Sequence, residues 1–64
     1  MDINDVVELK SELPEQCLKQ GMRGVIVAVF DEPEHAFEVE FCNEGGETIA
    51  EIALKPEQLK KVIF

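Results

Sequence analysis

Phe37-Glu38-Val39-Glu40-Phe41, then Asn43-Glu44-Gly45-Gly46, then Thr48-Ile49-Ala50-Glu51-Ile52-Ala53-Leu54 is the stretch that decides the fold. Its first run alternates apolar and acidic residues without a break. Successive side chains of a strand point to opposite faces, so Phe37, Val39 and Phe41 share a buried face while Glu38 and Glu40 meet water. The glycines supply positive φ cheaply, which marks a hairpin. The second run puts Thr48, Ala50, Ile52 and Leu54 inward, with Glu47, Ile49, Glu51 and Ala53 outward. A two-residue Gly45-Gly46 turn pairs Phe41 with Ala50, Val39 with Ile52 and Phe37 with Leu54. Every inward residue then meets an inward residue, as a buried face demands. A four-residue loop preserves the same parity, so the turn itself stays open.

Strands are expected on both sides of this hairpin. Gly24 to Phe30 (GVIVAVF) is a continuous β-rich run, which predicts a strand at least partly covered on both faces. Asp31-Glu32-Pro33-Glu34-His35 separates it from the hairpin as a turn, because Pro33 breaks the ladder. Val6 to Lys10 reads as the first strand, with Val7 and Leu9 on one face. Ser11 to Arg23 is a long loop from which Leu13 and Leu18 fold back onto the core. Pro56-Glu57-Gln58-Leu59 begins with proline where a helical turn can start, and gives one 3₁₀ turn with Leu59 inward. Lys60 to Phe64 is the closing strand. The expected architecture is all-β: one domain over residues 1–64, a five-stranded SH3-like barrel with a long first loop and a 3₁₀ turn before the last strand. Closing the sheet would hide most strand edges.

Size and charge narrow the function. A chain of 64 residues buries about 60% of its unfolded surface and has room for one thin core. The formal charge is -8, from 14 acidic against 6 basic residues. That disfavours nucleic acid and anionic membranes, both of which reward clustered Lys and Arg. No apolar run approaches the roughly 18 residues of a membrane span. Met1 to Asp5 lacks the positive start of a signal peptide. Cys17 and Cys42 form no CxxC and there is one histidine, so neither a disulfide scaffold nor a zinc pattern is present. These features fit a reduced cytoplasmic protein without metal or cofactor.

The order Leu9, Leu13-Pro14-Glu15, Leu18, Gly21, Gly24, Ile26-Val27, Phe37 to Phe41, Gly46-Glu47-Thr48 and Leu59 resembles a family of small bacterial proteins, domain of unknown function 4926. Leu18 to Val29 is similar to a KOW-type segment, in which a glycine-rich turn leads into a strand. The family pattern places a small residue, often glycine, before the leucine of the first loop, where this chain has Cys17. The resemblance implies an SH3-like fold and a bacterial origin. Some family members sit beside toxin-like partners, which implies an antitoxin or immunity role masking a basic partner as an alternative. KOW-type relatives bind RNA or transcription machinery. This chain lacks their basic surface, and its only footing for such a role is Lys10, Lys19, Arg23, Lys55, Lys60 and Lys61.

The strongest functional signal is the acidic hairpin. Residues 31–53 carry Asp31, Glu32, Glu34, Glu38, Glu40, Glu44, Glu47 and Glu51 with no Lys or Arg, while the remainder of the chain balances. Glu38, Glu40 and Glu51 share the outer face, and either turn sets Glu51 across from Glu40 or Glu38. Like charges directly opposite are unfavourable, and such a face suits a basic protein surface with electrostatically steered association. Glu38, Glu40, Glu47 and Glu51 are therefore the candidate partner-binding residues. The competing explanation is a solvated face that blocks edge-to-edge aggregation. Val25, Val27, Val29 and Ile49 are a second candidate, a dimer or partner patch, unless Leu13, Leu18 and Met22 of the first loop cover them. His35, Cys17 and Cys42 have no catalytic partner in the sequence, and no catalytic residue is assigned. The expected function is a non-enzymatic, acidic protein-binding module.

Overall fold

A computed structural model describes residues 1–63. The alternating runs become β1 (Val6–Leu9), β2 (Arg23–Phe30), β3 (Ala36–Cys42), β4 (Thr48–Leu54) and β5 (Leu59–Lys61). Two 3₁₀ turns, Pro14–Gln16 and Pro56–Gln58, are the only helical elements among the described residues. Every strand pairing is antiparallel, and the single sheet runs β4-β3-β2-β1-β5.

The all-β class and the five strands are as expected, but the sheet is not closed into a barrel. β4 and β5 form its two edges. Closure would need those edges to exchange hydrogen bonds along a common length. β5 is three residues long, its partner is β1, and Val62 and Ile63 beyond it are not in a strand. The expected closing strand thus starts one residue early, at Leu59, and stops at Lys61; its expected last residue, Phe64, lies outside the described residues.

The hairpin register matches the alternation: Phe41 pairs with Ala50, Val39 with Ile52 and Phe37 with Leu54. The turn is neither of the two anticipated. Cys42 pairs with Thr48, leaving Asn43 to Glu47 as the loop. This odd-length loop would throw β4 out of phase, and a bulge at Ile49 restores it. Asn43 organises the loop: its Oδ1 accepts from the Gly45 N–H at 2.9 Å and the Glu47 N–H at 3.0 Å. Its carbonyl accepts from the Gly46 N–H at 3.0 Å, where Gly46 has φ +84°. A side-chain amide that can mimic a backbone turn thus displaces the shorter glycine turn. Thr48, expected inward, precedes the bulge and is exposed.

The inward face gathers Val7, Leu9, Leu18, Ile26, Phe37, Val39, Phe41, Leu54 and Leu59 into one core. Leu18 enters it from the first loop. Leu13 and Leu18 exchange N–H to carbonyl bonds of 2.8 and 3.1 Å around the Pro14–Gln16 turn, closing that loop. Leu13 and Met22 pack against the same core. The loop thus folds under the sheet and does not cover the outer valines. Gly24 of β2 lies against the β3 residues Val39, Glu40 and Phe41 with no room for a side chain. A Cβ there would stand 2.7 Å from Val39 Cγ1, 2.8 Å from Glu40 O and 2.9 Å from Phe41 Cδ1. At the far end, Gln58 closes the second 3₁₀ turn: its Oε1 accepts from the Lys55 N–H at 2.8 Å, and its carbonyl accepts from the Lys10 N–H at 2.9 Å.

Candidate functional site

The register of the five strands lays the outer face out in rows. One row runs Lys60, Glu8, Arg23 across β5, β1 and β2. The next runs Val6, Val25, Glu40, Glu51 across β1 to β4. A third holds Ala28, Glu38 and Ala53. Between the second and third rows the bulge of β2 inserts Val27, since Ile26 pairs with Val39 and Ala28 with Glu38. The face is thus polarised: cationic toward β5, apolar along β2, acidic over β3 and β4.

Three of the four sequence-predicted residues come together here. Glu40 and Glu51 are directly opposed, and Glu38 lies diagonal to Glu51. Glu47 does not join them, because it sits in the loop and not in β4. Among the described residues, no Lys, Arg or His lies within ion-pairing reach of Glu38, Glu40 or Glu51. Three of the six cations pair elsewhere: Arg23 with Glu8, Lys55 with Glu34 and Lys61 with Asp5, each at 3.6 Å. The Glu51 carboxyl is held above the usual carboxylate range, first by partial loss of solvent and then by the neighbouring charges of Glu38 and Glu40. Asp5 is shifted the other way, chiefly by a hydrogen bond from the Asp2 N–H, with Lys61 adding to it.

The outer apolar residues are uncovered. Val25, Val27, Phe30 and Ile49 are 36, 39, 41 and 47% exposed, and the first loop offers them no cover. Phe30 takes the outward place expected of Val29, which pairs with inward Phe37. Uninterrupted alternation from Ile26 turns Phe30 inward, and only the bulge at Val27 reverses the phase beyond it. The row of Arg23, Glu8 and Lys60 brings a first-loop and a C-terminal cation of the six named above to one side of the sheet.

His35 and Cys17 stay apart from this face's chemistry, whereas Cys42 borders it. His35 Nδ1 is 3.1 Å from Asp31 Oδ1, and its ring packs edge-on against Phe37 with centroids 4.9 Å apart. Cys17 and Cys42 are free and exposed, and the Cys42 thiol is 3.8 Å from Glu40 Oε1. Cys17 occupies a left-handed backbone conformation, φ 58° and ψ 30°, which glycine adopts at lower cost than any residue with a Cβ. Among the described residues, no three His, Cys, Asp or Glu side chains are placed to hold a metal ion. Open depressions of about 300 and 510 Å³ border Val62 and Ile63 near β5, away from the acidic rows. No helix among the described residues is long and apolar enough to cross a membrane.

Fold and face together define a small antiparallel β protein with a carboxylate-bearing outer hairpin. The chain belongs to the family described as Domain of unknown function (DUF4926), which matches residues 3–61. No curated protein and no solved structure matches it.

Proposed function

We propose that this protein is a non-enzymatic binding module whose acidic hairpin face engages a basic surface of another protein. The observation that carries the reading is the collection of Glu38, Glu40 and Glu51 on one face without a cation to neutralise them. Placing Glu51 opposite Glu40 works against the fold. A basic partner would remove that repulsion and gain a steered approach. The exposed Val25, Val27 and Phe30 beside the acids supply apolar area for the same contact. Nucleic acid is the weaker reading, since Arg23, Lys55 and Lys61 are already engaged by carboxylates.

The finer fold belongs to the same proposal. An SH3-like arrangement is supported by the long connection between β1 and β2, the 3₁₀ turn before β5 and the bulge that bends β2. A reducing cytoplasm suits the two exposed free thiols. The test is affinity capture with the wild type and an E38K/E40K/E51K variant, read by mass spectrometry. The proposal expects a partner lost from the variant while its circular dichroism spectrum is kept. Capture that survives the charge reversal at both low and high salt refutes it.

A further inference from the structure

The two sheet edges are treated differently. β5 is short and carries Lys60 and Lys61, two of the devices by which edges are kept from pairing. β4 has neither device. It is seven residues long, reads TIAEIAL, and contains no proline and no lysine. Its bulge lies at Ile49, so Ala50 to Leu54 run as regular strand. Among the described residues its outer side has no strand partner. Ala50 and Ile52, on the inward side, are only half-buried because the sheet ends there.

We propose that the free edge of β4 takes up an extended segment of a partner protein as a sixth strand, with Lys or Arg alternating with aliphatic residues. This rests on the acidic-face reading above and adds its mode. Backbone N–H and C=O groups of β4 supply the pairing, and side chains supply the selection. An incoming strand extends the row Val6, Val25, Glu40, Glu51 by one residue, and a cation in that place faces Glu51 beside Glu40. Its alternate residues point inward, where aliphatic side chains cover Ala50 and Ile52. A second copy of this chain is the poorer occupant. Pairing β4 with its own counterpart about a two-fold axis through its middle would bring both Glu51 carboxylates onto one face, each flanked by its Glu40. That is four like charges in a row.

The probe is a capped synthetic peptide alternating Lys and Val, added to the isotope-labelled full chain. Two controls accompany it: the same peptide with alternate backbone nitrogens methylated, and one with Glu replacing Lys. The readouts are amide shifts and hydrogen exchange. The Lys peptide is expected to bind and to slow exchange in residues 48–54. Methylation is expected to weaken binding by about tenfold at unchanged charge, because pairing groups are lost. The Glu peptide is expected not to bind. Equal binding of the methylated peptide, with shifts at Glu38 and Glu40 but no protection in β4, overturns the edge mode and leaves the acidic-face reading standing. Absence of binding by the Lys peptide, or β4 protection by the Glu peptide, overturns the proposal. So does protection that grows with chain concentration alone, which would make a second copy the occupant.

Discussion

Replacing Gly24 with alanine should destabilise the fold by sterics alone. The added methyl would meet Val39 Cγ1 at 2.7 Å, Glu40 O at 2.8 Å and Phe41 Cδ1 at 2.9 Å. Carbon atoms in good contact sit about 3.5–4.0 Å apart, so the overlaps with the two carbon neighbours approach an ångström. Val39 and Phe41 are fully buried and cannot swing away, and the third neighbour is backbone. Overpacking of this kind costs about 1–3 kcal/mol. Alanine recovers part of that, roughly 0.5–1 kcal/mol, because glycine weakens a strand. The net loss of about 1–2 kcal/mol lowers Tm by roughly 5–15 °C in so small a domain. Thermal melts by circular dichroism would measure it. Combining G24A with Val39→Ala removes one of the three clashes, so the double variant should lose less than the sum of the singles, by about 0.5–1 kcal/mol. An unchanged Tm in G24A, or strict additivity in the pair, would refute the close approach of β2 and β3.

Further outcomes follow from the same structure. Cys17→Gly should raise Tm by a few degrees, since relief of the left-handed backbone outweighs the entropy of glycine by about 0.5–1 kcal/mol; a lower Tm would contradict that geometry. Asn43→Ala removes the acceptor for two loop amides and should cost about 1 kcal/mol, with faster hydrogen exchange at Gly45 and Glu47 as its local signature. Glu51→Gln should stabilise the fold at neutral pH. Because the folded state holds the Glu51 carboxyl above its usual range, its ionised form opposes folding, and that opposition fades as pH falls through the folded value toward about 4. Chemical denaturation at several pH values should therefore show the gain shrinking on acidification, and a gain independent of pH would contradict the assignment. Asp5→Asn should do the reverse, costing stability at neutral pH and little in strong acid, because the folded state lowers that carboxyl.

Much of this fold was legible because period-two patterning admits few alternatives. Phe37, Val39 and Phe41 alternate with glutamates, and one register buries them all. The three acids on one face followed from the same parity. What escaped was local. The Asn43 loop replaced the glycine turn because a side-chain acceptor competes with backbone turn geometry, and pairing parity does not see loop length once a bulge compensates it. The bulge at Val27 likewise carries no sequence mark, yet it exposes Phe30. Closure of the sheet was inferred from size and loop order, whereas it depends on the length of β5, which ends at Lys61. Alternation carried Glu47 onto the face, but the bulge at Ile49 breaks that alternation before it reaches the loop.

We propose above that the unneutralised carboxylates of Glu38, Glu40 and Glu51 meet a basic partner. Association kinetics of the captured partner with the wild type and with E38K/E40K/E51K, across a salt series, test it most directly. The wild-type on-rate should fall steeply as ionic strength rises and the Debye length shrinks from about 10 Å at 0.1 M to about 3 Å at 1 M. The variant should associate slowly at every salt concentration. Equal on-rates for the two proteins, insensitive to salt, would rule out an acidic docking face.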